Sequence, residues 1–184
     1  MTEKPVVYHM CPPNLRGNLL LPLDALRKEH PDLYAAKMAK YRGREALPTR
    51  PLPELECRWC DCVQFSTVHP EAIREAMLRT GHSWPDNGRR FFAVPVDKAG
   101  FSARDTVIWR YEDAGPAADI AAPKSDVMPY SPGCVAGLNT LHHRTEKYFQ
   151  EMHTLGHRPL LFVGVPHLLH RGPVSLKHAD EIVV

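Results

Sequence analysis

The hydrophobic positions fall in short bursts whose spacing changes along the chain. Val6, Val7 and Tyr8 form a β-branched and aromatic run that predicts a strand over residues 6–9. Cys11-Pro12-Pro13 stops it, because proline cannot donate to a strand ladder. Residues 19–26 are apolar but broken by Pro22, which predicts a loop entering a short helix over 23–29. A second helix is predicted from Pro31 in its first turn, through Leu33, Tyr34, Met38 and Tyr41 near one face, to Gly43 as its stop. Residues 47–55 contain Pro48, Pro51 and Pro53 and predict a polyproline-like surface connector.

Val63 and Phe65 give residues 59–66 strand character, and Pro70 opens a helix over 71–80 with Ile73, Ala76 and Met77 inward. Residues 91–96 and 106–111 read as strands, neighbours in a sheet. Residues 113–137 lack periodicity and predict a long loop or insertion covering one face. The best helix spans 140–155, with Leu141, Tyr148, Phe149, Met152 and Leu155 as its stripe and Gly156 as its stop. Residues 160–165 are almost continuously apolar at strand length, which predicts a central strand buried on both faces. Residues 174–176 and 182–184 follow as a short strand and a terminal apolar patch. Strands and helices mix without regular alternation, so the predicted fold is α+β: a single domain over 1–184 with a small split or curved mixed sheet.

Composition narrows the class. With 43% hydrophobic and 24% charged residues, the chain fits a globular domain and not a disordered or coiled-coil one. A net charge of +2 is too small to imply a nucleic-acid partner. No apolar run approaches the ~20 residues that span a bilayer, and the N-terminus lacks the grading of a secretory signal, so a cytoplasmic location and no membrane partner are expected.

Five cysteines, three of them in Cys57-Arg58-Trp59-Cys60-Asp61-Cys62, point to reduced thiols or a metal and not to a disulfide framework. Cys57, Cys60, Cys62 and His69 offer four N/S donors to zinc, although Cys60 and Cys62 lie two apart in a predicted strand and would share a face. His167 and His170 flank the predicted central strand, where an ordinary hydrogen-bonded histidine is the simpler account. Gly-rich phosphate loops, nucleophile elbows and H-E-x-x-H pairs are absent.

Three blocks remain: Tyr8-His9-Met10-Cys11-Pro12, the segment from Trp59-Cys60-Asp61 through Phe65-Ser66-Thr67-Val68-His69-Pro70, and Arg158-Pro159-Leu160-Leu161-Phe162 continuing to Val165-Pro166-His167. They resemble a bacterial family with Tyr-His-Met-x-Pro, Trp-x-Asp-x-x-x-Phe-Ser-x-Val-His-Pro and Arg-Pro-Leu-Leu-Phe-x-x-Val-Pro-His blocks, over nearly the whole chain. More distantly they are similar to ADP-ribosyltransferase-like proteins, in particular the DNA-modifying toxin branch and the RNA 2′-phosphotransferases. That resemblance implies an ADP-ribosyltransferase-like fold, NAD as cofactor, and a transferase acting on a nucleic acid or small molecule. It implies His9 as the ribose contact, Arg44 as the phosphate contact and Ser66 on the nicotinamide side; Arg158, read from its charge, is expected as a further anion contact. His9 and Arg44 are also the implied catalytic pair. Guanidinium groups grip phosphate oxygens in pairs, and an imidazole both donates to and accepts from a diol. One position departs from the pattern: where the toxin branch places a glutamate before a late apolar strand, this chain has Arg158-Pro159-Leu160, and Glu151 and Glu181 are the nearest carboxylates. A cation there opposes an oxocarbenium-like centre and favours an anionic ligand. Two other readings follow from the residues alone: a Cys/His metal protein, and a catalytically silent interaction domain.

Overall fold

The computed structural model describes residues 4–111 and 126–184, and its sheet is assembled from segments far apart in the chain. The strands are β1 Val6–Met10, β2 Leu19–Leu20, β3 Pro51–Leu52, β4 Cys57–Arg58, β5 Cys62–Ser66, β6 Arg90–Pro95, β7 Thr106–Trp109, β8 Val127–Pro129, β9 His167–Arg171, β10 Val174–Ser175 and β11 Asp180–Val183. Seven of them form one sheet in the order β11-β6-β1-β5-β9-β7-β8, and all its pairings are antiparallel. The fold is therefore α+β, around a large antiparallel sheet and not a small split or mixed one. Two ribbons, β10-β2 and β3-β4, flank it.

The helices are α1 Leu23–Glu29, α2 Pro31–Met38, α3 Pro70–Arg79, α4 Pro132–Ala136 and α5 His143–Thr154. On one sheet face, Ile73, Ala76 and Met77 of α3 and Tyr148 and Phe149 of α5 pack with Trp59, Trp109 and Leu169. Arg79 of α3 pairs with Glu146 of α5 across the outside of this layer. The opposite face buries Val7, Phe65, Ile108 and Leu168 under Leu20, Tyr130, Val135 and Val174. A fully buried Phe or Leu contributes about 1.5–3 kcal/mol, so both faces of β5 and β9 are strongly held.

Local chemistry accounts for the boundaries. Pro70 occupies the first turn of α3 and the His69 ring nitrogen accepts the Glu71 N–H, supplying one otherwise unpaired donor. The second predicted helix runs as α2 and then tightens into a 3-10 turn over Ala39–Tyr41.

Several expectations are corrected. Residues 160–165 form turns and no strand: Gly164 sits at φ +74, in the left-handed region, and the strand starts only after Pro166, as β9. The apolar run is explained by burial of Val163 and Val165 in the turn itself. Residues 47–55 are not a surface connector, because Leu47, Leu52 and Leu55 are buried against Trp59 and Trp109. Strands β6 and β7 are not neighbours; β1, β5 and β9 lie between them. Of the predicted loop over 113–137, residues 113–125 lie outside the described residues and the rest contains β8 and α4. Cys60 lies in a 3-10 turn over Trp59–Asp61, not in a strand with Cys62. Leu155 lies past the end of α5 and is exposed. Among the described residues, no helix is long and apolar enough to cross a membrane.

Candidate functional site

His9 stands near the end of β1, where the pairing with β5 puts it beside Phe65, ring centroids 5.6 Å apart. Its Nδ1 lies 2.8 Å from the Gln64 carbonyl oxygen. A carbonyl only accepts, so Nδ1 carries the proton and Nε2 keeps its lone pair. Burial lowers the imidazole pKa to about 4, the bond to Gln64 partly offsets this, and the ammonium groups of Lys37 and Lys40 lower it further. The ring is neutral at physiological pH.

The segment that brings those cations is α2 and its 3-10 extension. Lys37 and Lys40 stand three residues apart on α2 and its 3-10 extension, and Arg44 follows beyond the turn that ends it. Gly43, at φ +78, reverses the chain so that the Arg44 N–H reaches the Tyr41 carbonyl at 2.7 Å and its guanidinium donates to the Lys40 carbonyl at 2.8 Å. The same guanidinium lies 5.8 Å from the centroid of the Tyr41 ring. Burial and the Lys40 charge lower the pKa of Lys37. Among the described residues, no carboxylate is within ion-pair distance of Lys37, Lys40 or Arg44.

Of the four site residues expected from sequence, His9 feels the Lys37 and Lys40 charges, whereas Arg44 binds the Lys40 carbonyl and its charge acts on Tyr41 and Tyr111, which pack with the core of the other sheet face; the remaining two lie elsewhere. Ser66 pairs with Tyr8 and so shares the Tyr8 face, opposite to His9. Its buried hydroxyl donates to the Val68 carbonyl at 2.8 Å and accepts the Val68 N–H at 3.1 Å, so both of its roles are spent in a turn. Arg158 is exposed after α5, and its charge acts on Arg89, which stacks over Trp84 at 4.8 Å. Glu181 is occupied by Arg90, and Glu151 is exposed on α5.

The three motif blocks nonetheless meet. Register aligns Tyr8 with Ser66, Ser66 with His167, and His167 with Trp109, a single row across β1, β5, β9 and β7. His167 donates from Nδ1 to the Val165 carbonyl at 2.6 Å, and burial lowers its pKa to about 4. Trp109, Tyr111 and Phe162 surround it at centroid distances of 6.0, 6.5 and 6.0 Å. Burial also pushes the Tyr111 hydroxyl up to about 12. Sequence reasoning missed Lys37 and Lys40, whose spacing ahead of Arg44 was the available signal.

The cysteine cluster gathers differently from the predicted zinc set. His69 caps α3 and contacts Tyr8 edge-on, ring centroids 4.9 Å apart, away from the thiols. Cys60 instead groups with Asp24 and Asp61, the donor atoms within 4.8 Å of one another. Arg58 contacts Asp24 at 3.7 Å and Asp61 at 3.4 Å, and Arg27 and Lys28 also pair with Asp24, so these carboxylates already have cations. Cys57 and Cys62 form a separate pair with sulfurs 3.6 Å apart. No protein-family model matches the chain, and no curated protein or solved structure matches it significantly.

Proposed function

We propose that the chain is an ADP-ribosyltransferase-like protein that binds a nucleotide, with NAD as the candidate cofactor. The reading rests on one observation: the Lys37 and Lys40 charges, without a counter-ion among the described residues, act on a histidine held neutral, and Arg44 joins the same segment through the Lys40 carbonyl. The half-buried Lys37 and the neighbouring Lys40 repel one another and are relieved by an anion, and a phosphate or pyrophosphate supplies the charge. Arg44 and Lys40 bind the phosphates in this reading. The Nε2 lone pair of His9 accepts from a ribose hydroxyl, while Lys37 raises the local potential. Ser66 and Arg158 drop out as cofactor contacts. Transfer to a nucleic acid or small molecule is the reaction the resemblance implies. Where the toxin branch carries a carboxylate this sequence has Arg158-Pro159-Leu160, so the proposal is framed on binding. Five free cysteines suit a cytoplasmic setting.

The test is thermal shift with NAD, ADP-ribose, ADP and nicotinamide at low salt. Ligand at 100 times Kd stabilises by about 2.7 kcal/mol, enough to raise the melting temperature by several degrees. The phosphate-bearing ligands should shift wild type, and Lys40→Ala with Arg44→Ala should abolish the shift while leaving the unliganded melt near wild type. His9→Asn should lose NAD and ADP-ribose more than inorganic pyrophosphate. No response to any phosphate ligand at millimolar concentration overturns the proposal.

A further inference from the structure

Cys57 and Cys62 stand five residues apart, on β4 and at the start of β5, with the Trp59–Asp61 turn folded between them. That turn is tied by Arg58, whose backbone N–H donates to Asp61 at 2.8 Å. The loop brings the two sulfurs to 3.6 Å, so closing a disulfide of about 2.05 Å requires a relative shift of only about 1.5 Å. The two thiols are unequal. Cys62 is buried, whereas Cys57 is half-buried and lines a surface cavity of about 490 Å³ together with Asp61 and Arg171. The two sulfurs share a hydrogen bond, which with the Arg171 and Arg58 charges lowers the Cys57 pKa against the opposing effects of burial and Asp61; the same bond and burial raise that of Cys62. Cys60 points instead to Asp61 at 3.7 Å, and burial raises its pKa.

We propose that Cys57 and Cys62 form a redox-active dithiol, with Cys57 as the thiol that a hydroperoxide reaches through the cavity and Cys62 as the resolving partner. The Cys57 thiolate attacks the outer peroxide oxygen, the O–O bond breaks, and the alcohol or water leaves with a solvent proton. Cys57 is then a sulfenic acid. The Cys62 sulfur attacks it, the S–O bond breaks, and water departs with the Cys62 proton. Two thiols lose two electrons and one hydroperoxide gains them. The buried partner and adjoining thiol favour this closed product over further oxidation.

Full-length protein, freed of metal by a chelator, is treated with stoichiometric hydrogen peroxide, alkylated under denaturing conditions and mapped by mass spectrometry. A Cys57–Cys62 cross-link is expected ahead of modification at Cys11, Cys60 or Cys134. In Cys62→Ser, a sulfenic acid probe should label Cys57. Alkylation of reduced wild type should run about tenfold faster at Cys57 than at Cys11, whose pKa is pushed up to about 11. The larger thiolate fraction at Cys57 is partly offset by weaker intrinsic nucleophilicity. Wild-type mapping decides the matter even if Cys62→Ser folds poorly. Labelling at Cys60 first, intact Cys57 and Cys62 thiols after Cys11 has oxidised, or tightly bound zinc retained on both sulfurs as isolated overturns the proposal.

Discussion

Acid should destabilise this protein well before its carboxylates titrate, and two histidines are the reason. His9 and His167 each have a pKa of about 4 in the fold, against about 6.5 in an unfolded chain. Between those values the unfolded chain takes up protons that the folded chain refuses. The neutral rings therefore contribute stability that is fully present above pH 6.5 and is lost as the pH falls toward 4. From pH 7.5 to 5 a shift of this size is worth about 2 kcal/mol per ring; both rings keep some contact with solvent, which reduces it to roughly 1–2 kcal/mol each. Against a total stability on the order of 5–15 kcal/mol, the pair should move a urea midpoint clearly. His170, whose pKa is also lowered by burial, acts in the same direction. The assay is urea denaturation at pH 7.5, 6.5, 5.5 and 5. His9→Asn and His167→Asn retain a donor for the Gln64 and Val165 carbonyls but do not titrate. Each should flatten the loss between pH 7.5 and 5 by about 1–2 kcal/mol, nearly additively because the rings lie on opposite sheet faces. A wild-type slope unchanged in both variants would refute the reasoning.

Two further outcomes test the packing. Phe149→Ala empties a fully buried site between α5 and the sheet and should cost about 3–5 kcal/mol, read from the denaturant midpoint. Gly164→Ala places a Cβ 2.8 Å from the Thr145 hydroxyl at φ +74 and should cost about 1–3 kcal/mol; Thr145→Ala in the same chain should return part of that, as a double-mutant cycle in urea would show.

The elements easiest to read from sequence carry their own punctuation. Strand β1 is bounded by its prolines, α3 opens at Pro70, and the polar-to-apolar stripe of α5 marks Tyr148 and Phe149 as inward. The apolar run 160–165 misled because run length reports burial and not extension, and a glycine at positive φ between prolines turns such a run back on itself. Leu47, Leu52 and Leu55 misled in the opposite sense, since prolines around them suggested solvent while their side chains fill the core. At the candidate site, His9 was visible in the first motif block and Arg44 as the cation after the second predicted helix. Lys37 and Lys40 gain meaning only once the fold brings their charges within electrostatic reach of His9, a long-range relation that no local pattern encodes. Ser66 shows the converse: its motif position is at the meeting of the blocks, but its hydroxyl serves the backbone of Val68.

The insertion of β9 between β5 and β7 has a consequence for how the protein is made. Emerging from the ribosome, residues up to about 160 can pair β5 with β1 and β7 with β8, but the edge that each offers to β9 waits unpaired. Cotranslational intermediates of this chain should thus be clients for chaperones that shield strand edges, and a stalled nascent polypeptide should aggregate far more readily than the released one.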